Sequence, residues 1–137
     1  MDLETQTIST PLFSLNGMTT RAKIVKVYDG DTLHAVFELF GKCYRWVCRI
    51  AHVDTPELRT KDENEKKRGY EVKSKVSELL LNKIFIIHCC EFDKYGRLLI
   101  ELTLPSGEKL HNWLISNKYA KLYEGGTKEK WDELSSH

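Results

Sequence analysis

The change of hydrophobic spacing along the chain is the feature that most limits its fold. Up to Val53 the apolar residues form short β-type runs, separated by turn signals such as Asp29-Gly30-Asp31 and Gly41-Lys42. From Tyr70 to Leu81 the spacing becomes helical, and two further β-type runs follow. This order predicts an α+β, mainly β chain: a five-stranded barrel of the OB type with two to three helices.

The predicted element bounds follow from the same pattern. The expected strands are Ala22–Tyr28, Thr32–Leu39, Cys43–Val53, Lys83–Cys90 and Leu98–Leu104. A charged loop is expected from Glu57 to Gly69, a helix from Tyr70 to Leu81 and a second, short helix around Leu110 to Asn117. The tail after the two glycines at 125 and 126 is expected to be weakly helical. Residues 1–20 are predicted to be a flexible N-terminal arm, and residues 21–137 one domain.

Charge and hydropathy exclude some classes of protein. The 137 residues carry a net charge of +1, so a broad basic coat is absent and any contact with a polyanion must depend on a few placed arginines. No run of about 18 apolar residues predicts a transmembrane helix or a membrane partner. The first 17 residues are acidic and polar, unlike a secretory signal. We therefore expect an intracellular protein, with cytoplasm and nucleus not distinguished.

The four cysteines are interpreted as small buried residues. Thiols of an unsecreted chain stay reduced, so a disulfide framework is not expected. A zinc site would need Cys43, Cys48, His88 and either Cys89 or Cys90. The odd spacing sends Cys43 and Cys48 to opposite faces of a strand, and adjacent Cys89 and Cys90 also diverge, which disfavours zinc.

The stretch from Val53 to Glu57 carries the first chemical signal. Asp31 leaves the first hairpin turn and Asp54 ends the third predicted strand, so the two carboxylates can meet at one rim of the barrel. Two carboxylates that meet there repel each other unless a positive charge lies between them. Oxygen ligands without histidine or cysteine suit Ca²⁺ or Mg²⁺, and the Thr55 carbonyl could add a further ligand. Glu57 is held near the same point because Pro56 fixes the turn.

Each of these features also has a structural interpretation. Asp-Gly-Asp is a common hairpin turn, and Asp-Thr-Pro often ends a strand. Arg49, on the face of its strand away from the core, could pair with an acid, and Arg97 could be a hairpin residue after Gly96. His52 lies in an apolar alternation, where a structural histidine is expected more often than a catalytic one.

The segments KIVKVYDGDT, RIAHVDTPE and DKYGR, in this order and at these separations, resemble the staphylococcal-nuclease-like (thermonuclease) family. The resemblance runs from about Ala22 to Leu122 and includes the ending Tyr119-Ala120-Lys121-Leu122. The chain departs from the family in three places. The segment before DKYGR is a few residues shorter than in the best-known member, Asp62-Glu63 stands where a basic pair is expected, and the aromatic residues beyond Lys121 reduce to Tyr123.

The resemblance implies a role for each site residue. It implies that Asp31, Asp54 and the Thr55 carbonyl hold Ca²⁺, with Asp29 in the outer shell. It places Glu57 at the position of the general base and Arg49 and Arg97 at the two phosphate-binding arginines. Lys94 and Tyr95 match positions that contact a nucleotide phosphate, and Tyr123 is the remaining candidate for substrate contact.

The sequence therefore predicts a Ca²⁺-dependent nuclease of DNA, with RNA as an open alternative and single strands preferred. The resemblance implies that its products carry a 3′-phosphate. The alternative is a catalytically inactive OB-type module that binds single-stranded nucleic acid or a protein, with Tyr44, Trp46 and Tyr95 as stacking platforms. The complete set of acids and arginines favours the nuclease, whereas the near-neutral net charge favours the module.

Overall fold

The computed structural model describes residues 2–124. The strands are β1 Thr19–Val27, β2 Thr32–Leu39, β3 Lys42–Ile50, β4 Val53–Asp54, β5 Ile84–Phe92, β6 Leu98–Thr103 and β7 Lys121–Leu122. The helices are α1 Glu63–Leu80 and α2 Leu110–Ser116, and a single 3-10 turn covers Leu3–Thr5. The predicted helical tail lies outside the described residues.

The five longer strands form a closed barrel in the order β1-β2-β3-β6-β5, with β5 returning to β1. The pairs are antiparallel except for β3 and β6, which run parallel with Cys48 opposite Leu98. Closure leaves no free edge in the barrel. The predicted five-stranded barrel of the OB type, mainly β with helices, is confirmed.

The core is built from one face of each strand and one stripe of α1. Buried residues alternate along β6, and Val72, Val76 and Leu80 form the buried stripe of α1, as the helical spacing predicted. The fully buried side chains include Ile24, Leu33, Ile50, Ile87, Leu98, Ile100, Leu102, Leu110 and Leu114. This rigid apolar interior fixes the strand ends from which the polar residues project.

The β1–β2 turn is tied down by Asp29 and lies against α1. Asp29 Oδ1 accepts hydrogen bonds from the N–H groups of Asp31 at 3.1 Å and Thr32 at 2.8 Å, as turn-forming aspartates do. A Cβ atom at Gly30 would lie 2.7 Å from Val72 Cγ1 and 2.9 Å from Thr55 Cγ2. Only glycine therefore permits this close approach of the turn to the helix and to the segment that carries Asp54.

The third strand ends three residues earlier than predicted. β3 stops at Ile50, and the chain turns through His52, whose φ is 75°. Val53 and Asp54 then form the separate strand β4, which pairs with β7 so that Asp54 is opposite Lys121. The prediction that Asp54 ends the third strand was wrong, because the apolar run contains a sharp turn that alternation does not reveal.

Helix α1 begins seven residues earlier than predicted. Its N-cap is Asp62, which accepts hydrogen bonds from the N–H groups of Asn64 at 3.0 Å and Glu65 at 3.2 Å. Glu63 and Glu65 also place negative charge in the first turn, where the helix dipole favours it. The charged loop therefore ends at Asp62, since capping starts the helix before its apolar stripe begins.

The N-terminal segment and the cysteines complete the description. Leu15 is buried, and the Gly17 N–H donates to the Cys89 carbonyl at 2.8 Å, so contact with the barrel begins before β1. The division into an arm and a domain stays a prediction. Cys48 and Cys89 are buried as predicted, whereas Cys43 is exposed and Cys90 half-buried. Within residues 2–124, no helix combines the length and hydropathy needed to cross a membrane.

Candidate functional site

Asp31 and Asp54 meet at one end of the barrel, with Arg49 between them. Arg49 Nη2 lies 3.6 Å from Asp31 Oδ2 and 3.6 Å from Asp54 Oδ1. Asp31 is 7% exposed and Asp54 3% exposed, so both carboxylates are almost withdrawn from water. Their mutual repulsion requires a positive charge, and within the described residues Arg49 supplies one. We call Asp29, Asp31 and Asp54 the acidic corner.

The pairing of β2 with β3 creates this arrangement. Thr32 lies opposite Arg49, and the Ile50 N–H donates to the Asp31 carbonyl at 2.8 Å. Arg49 therefore lies beside the first residues of β2, while the turn after Ile50 brings Asp54 to its other side. The guanidinium also donates from Nη1 to the Ile50 carbonyl at 3.1 Å, which fixes its orientation.

Asp31 is held by its own hydrogen bonds. The Thr55 N–H donates to Asp31 Oδ2 at 3.2 Å, and the Thr32 hydroxyl donates to Asp31 Oδ1 at 3.3 Å. Arg97 Nη1 donates in turn to Thr32 Oγ1 at 3.2 Å. A continuous polar network thus joins both predicted arginines to the acidic corner.

Asp29 is a carboxyl group whose ionisation is disfavoured at this corner. Burial of its carboxyl group and the charge of Asp31 raise the pKa of Asp29 to about 7. At this pKa the ionised form of the Asp29 carboxyl group is disfavoured by the loss of solvation and by the nearby charge of Asp31. A cation bound beside these carboxylates would favour their charged forms.

The second part of the site is a cavity of about 390 Å³ beside Arg49. Its lining includes five of the predicted site residues: Arg49, Lys94, Tyr95, Arg97 and Tyr123. We call it the arginine cavity. The Arg49 guanidinium lies 5.7 Å from the centre of the Tyr123 ring, and the Arg97 guanidinium 5.7 Å from that of Tyr95. Two guanidinium groups, one ammonium group and two aromatic rings form a suitable wall for a phosphate with an attached base.

Arg97 is positioned by Asp93, the first residue of the β5–β6 turn. Arg97 Nε donates to Asp93 Oδ2 at 2.8 Å, and the backbone N–H groups of Tyr95 and Arg97 both donate to Asp93 Oδ1 at 2.9 Å. Burial raises the pKa of Asp93, but these hydrogen bonds and the Arg97 charge outweigh it and hold the pKa below its usual range. Asp93 therefore stays charged and keeps Arg97 directed toward Thr32.

Glu57 lies apart from the arginine cavity lining. It is exposed, follows buried Pro56, and its backbone N–H donates to Glu65 Oε2 at 2.8 Å. This hydrogen bond joins the corner segment to the first turn of α1. The structure therefore fixes the backbone of Glu57 three residues after Asp54, while its carboxylate is accessible to water.

His52 is partnered on both ring nitrogens, as a structural histidine should be. Nε2 lies 2.7 Å from Glu101 Oε2, and Nδ1 lies 2.9 Å from Glu124 Oε1. The hydrogen bond with Glu101 is the main cause of a raised His52 pKa, with Glu124 adding to it against the effect of burial. His52 thereby braces the turn between β3 and β4.

Sequence reasoning missed the residues that position the predicted ones. Thr32 links Arg97 to Asp31, Asp93 anchors Arg97, and Glu65 holds the Glu57 backbone. A weak signal existed for Asp93, because an aspartate that opens a tight turn commonly accepts backbone hydrogen bonds. No local pattern predicts Thr32 or Glu65, since their partners are distant along the chain.

The residues of the acidic corner suit a hard cation by the chemistry of their donor atoms. Carboxylate and carbonyl oxygens are the ligands that Ca²⁺ prefers. Among residues 2–124, however, no three histidine, cysteine, aspartate or glutamate side chains converge as a metal-binding group. Protein ligands would therefore come from two carboxylates and a backbone carbonyl, leaving positions for water and substrate.

The closed five-stranded barrel with its end lined by charged and aromatic residues defines an OB-type protein, a class that includes many nucleic-acid binders. More specifically, the chain belongs to the staphylococcal nuclease homologue family, whose family model matches residues 47–136, well over half of the chain. The resemblance noted in the sequence is thus confirmed. The matched range contains every predicted site residue except Asp31 and the predicted outer-shell residue Asp29. Membership associates the chain with nuclease-type hydrolases. None of the curated proteins compared with the chain matches it.

Proposed function

We propose that the chain is a Ca²⁺-dependent nuclease that hydrolyses phosphodiester bonds of DNA, with RNA as the second candidate substrate, and leaves 3′-phosphorylated products. The observation that carries the proposal is the position of Arg49. Its guanidinium lies between two buried carboxylates and also lines a cavity that it shares with Arg97. Acids and paired arginines at one place suit phosphoryl transfer, where catalysis consists of positioning and charge stabilisation.

In this proposal the two arginines bind the phosphate. Their planar forks can each donate two parallel hydrogen bonds to phosphoryl oxygens, which lysine cannot do. The contacts of Arg49 with both carboxylates, at 3.6 Å, are longer than hydrogen bonds, so its N–H groups are not consumed by these ion pairs. Arg97 is already oriented by Asp93 and Thr32, which reduces the entropy lost when the phosphate binds.

Glu57 would act on the attacking water. The water oxygen forms a bond to phosphorus as its proton passes to the Glu57 carboxylate, and the bond from phosphorus to the 5′ oxygen breaks. The departing 5′ oxygen takes a proton from solvent, and the phosphate stays on the 3′ side. Exposure of Glu57 next to the acidic corner supports this role, because a general base needs access to the water that it activates.

Asp31, Asp54 and the Thr55 carbonyl would hold the calcium ion, with Asp29 beyond them. When bound, Ca²⁺ would offset the negative charge of the corner and polarise a phosphoryl oxygen of the substrate. The buried carboxylates and the raised pKa of Asp29 support this assignment, since both indicate that a cation is favoured there.

Incubation of the whole chain with labelled single-stranded DNA tests the proposal. Cleavage in the presence of Ca²⁺ that stops on addition of EDTA, with fragments bearing a 3′-phosphate, is the expected result. Binding without cleavage under every metal tested would instead favour the inactive OB-type module. Parallel reactions with single-stranded RNA and duplex DNA measure the substrate preference.

Calcium should raise the melting temperature of the chain in a concentration-dependent way. A ligand that binds only the folded state at about 100 times its Kd stabilises that state by roughly 2.7 kcal/mol. Asp31→Asn should abolish the increase because it removes one of the two carboxylates. Glu38→Gln, which changes an exposed acid on β2, is the matched control and should keep the increase. Melting curves with Ca²⁺ titrated from zero give the comparison, and an unchanged shift in Asp31→Asn would remove Asp31 from the site.

Arg97→Lys should reduce turnover far more than stability. Lysine keeps the charge but cannot bond Asp93, Thr32 and a phosphate through one planar group, so kcat should fall roughly 10- to 100-fold. The Arg97 side chain is 28% exposed, so the loss in unfolding free energy should stay within about 1 kcal/mol. Arg21→Lys, on the exposed side of β1, is the control. Near-normal cleavage by Arg97→Lys would make Arg97 a hairpin residue only.

A further inference from the structure

A second, larger cavity lies outside the site described above. It has a volume of about 710 Å³ and is formed by the end of β1, the segment after Glu57 and the first half of α1. We call it the basic groove. Its lining residues are Lys26, Tyr28, Leu58, Arg59, Thr60, Lys61, Lys66, Tyr70 and Lys73.

The basic groove concentrates positive charge on a chain that is almost neutral. Five of its lining residues are lysine or arginine and none is acidic, although the net charge of the whole chain is only +1. In the part of the chain that the structure describes, none of these five side chains forms an ion pair with a carboxylate. The groove therefore carries an unneutralised positive field, which attracts a polyanion.

Two tyrosines are interleaved with these charges. Tyr28 is 38% exposed and Tyr70 54% exposed, so both present ring surface to solvent. Lys26 Nζ lies 6.0 Å and the Arg59 guanidinium 5.9 Å from the centre of the Tyr28 ring. Alternating cationic and aromatic groups along a groove is the pattern that binds single-stranded nucleic acid, since bases stack on the rings while the cations track the phosphates.

The basic groove is joined to the acidic corner at two points of the chain. Tyr28, on one wall, immediately precedes Asp29-Gly30-Asp31, and Leu58, on the other, immediately follows Glu57. Gly30, two residues after Tyr28, lies close to Val72 of α1 and to Thr55, so the turn that follows Tyr28 packs against both. Because Glu57 and the groove residue Leu58 are neighbours in the chain, a strand bound at Glu57 would lie within reach of the groove.

We propose that the basic groove binds the segment of a single-stranded polynucleotide that flanks the bond to be cleaved. This inference rests on the proposed nuclease function and adds an extended substrate site to it. An acidic peptide would satisfy the cations, but it has no planar bases for the two exposed rings. The groove would let a near-neutral protein hold long strands more tightly than dinucleotides.

Binding of labelled single-stranded DNA in EDTA, where cleavage is not expected, tests the proposal. The double variant Lys66→Gln, Lys73→Gln changes one wall of the groove. Its affinity for a 12-nucleotide strand should fall roughly tenfold at low salt, and the slope of log K against log salt should decrease by about 1.4, or 0.7 for each lost contact. Lys67→Gln, Lys75→Gln removes the same charge from exposed positions of α1 outside the groove and should change both quantities little.

A second double variant and a tyrosine variant are also needed, because one variant could lose affinity simply by folding poorly. Lys26→Gln, Arg59→Gln alters the sides of the groove that β1 and the segment after Glu57 form, and should reproduce the loss. Tyr70→Ser should weaken the 12-nucleotide strand by roughly fivefold or more through lost stacking. Circular dichroism melts confirm folding. An equal loss in the Lys67, Lys75 control, or no loss in either groove pair, would overturn the proposal. The proposal would also be overturned if poly-glutamate at equal charge concentration displaced the strand and Tyr70→Ser did not change the affinity.

The two proposals fail in different ways. If the groove pairs weaken the 12-nucleotide strand but the chain cleaves nothing with Ca²⁺, the basic groove stands and the nuclease does not. If a dinucleotide and a 12-nucleotide strand are cleaved equally well by the wild-type and groove variants, the nuclease stands and the basic groove does not. Support for both requires cleavage of the dinucleotide to be unchanged in the groove variants while KM for the longer strand rises.

Discussion

Replacing Arg49 with methionine is expected to destabilise the chain more than any other single change at the site. The substitution keeps a long side chain but leaves the nearly buried carboxylates of Asp31 and Asp54 without their shared countercharge. Removing one partner of a buried ion pair costs about 3–5 kcal/mol. In a chain of this size that corresponds to a decrease in melting temperature of roughly 10–20 °C. Urea unfolding in EDTA measures the loss, and cleavage should be lost as well.

The matched control for this prediction lies on the same strand. Arg45 is exposed on β3, and Arg45→Met should change the unfolding free energy by less than about 0.5 kcal/mol. Combining Arg49→Met with Asp31→Asn should recover part of the loss, because one unpaired charge disappears with its partner. Equal stabilities for Arg49→Met and Arg45→Met would show that Arg49 is no countercharge, and full additivity in the double variant would contradict the pairing with Asp31.

The sequence predicted those parts of the fold that local patterns determine. β2 has the predicted bounds, because the Asp-Gly-Asp turn marks its start and alternation marks its length. The buried stripe of α1 was also predicted, but the start of the helix was not. The seven residues after Asp62 are six polar residues and Gly69, and they contribute no apolar side chain to the stripe. They therefore look like a loop until the cap is recognised.

The part of the site that could not be predicted depends on pairing between strands that are far apart in the sequence. The ion pairs of Arg49 require the register of β2 against β3 and the turn at His52, and neither is visible in the local sequence. The two-residue strands β4 and β7 are too short to show a period, yet their pairing positions Asp54. Sequence reasoning could therefore identify the residue types at the corner but not that an arginine lies between the acids.

In the proposed function, the acidic corner, the arginine cavity and the basic groove would contribute to substrate binding in different ways. Arg49 and Arg97 line the arginine cavity, and the Arg97 guanidinium is oriented there by a hydrogen bond to Thr32. Within residues 2–124 the five cations of the groove form no ion pair with a carboxylate, and in the proposal they would act through their summed field. A neutral overall charge is compatible with nucleic-acid binding because the positive groups are segregated rather than numerous.

Glu57→Gln should abolish most cleavage while it leaves the fold intact. The substitution keeps the shape of the side chain and removes its ability to take a proton, so kcat should fall by about 10²- to 10⁴-fold. Glu57 is exposed, and its backbone hydrogen bond to Glu65 does not involve its carboxylate. The melting curve should therefore change little, and single-stranded DNA should bind with unchanged affinity. Single-turnover cleavage with Ca²⁺, melting curves and anisotropy binding measure the three quantities.

Variants of two neighbouring acids test whether the loss of cleavage comes from the proton-accepting role of Glu57 or only from the removal of a negative charge. Glu63→Gln removes a negative charge from the exposed first turn of α1 and should leave cleavage unchanged. Glu65→Gln alters the acceptor of the Glu57 N–H and should lower kcat much less than Glu57→Gln, because the carboxylate that acts on water remains. If Glu57→Gln cleaves at close to the normal rate, another group activates the water. If it unfolds, the carboxylate is structural, and the segment after Asp54 serves only to shape the acidic corner.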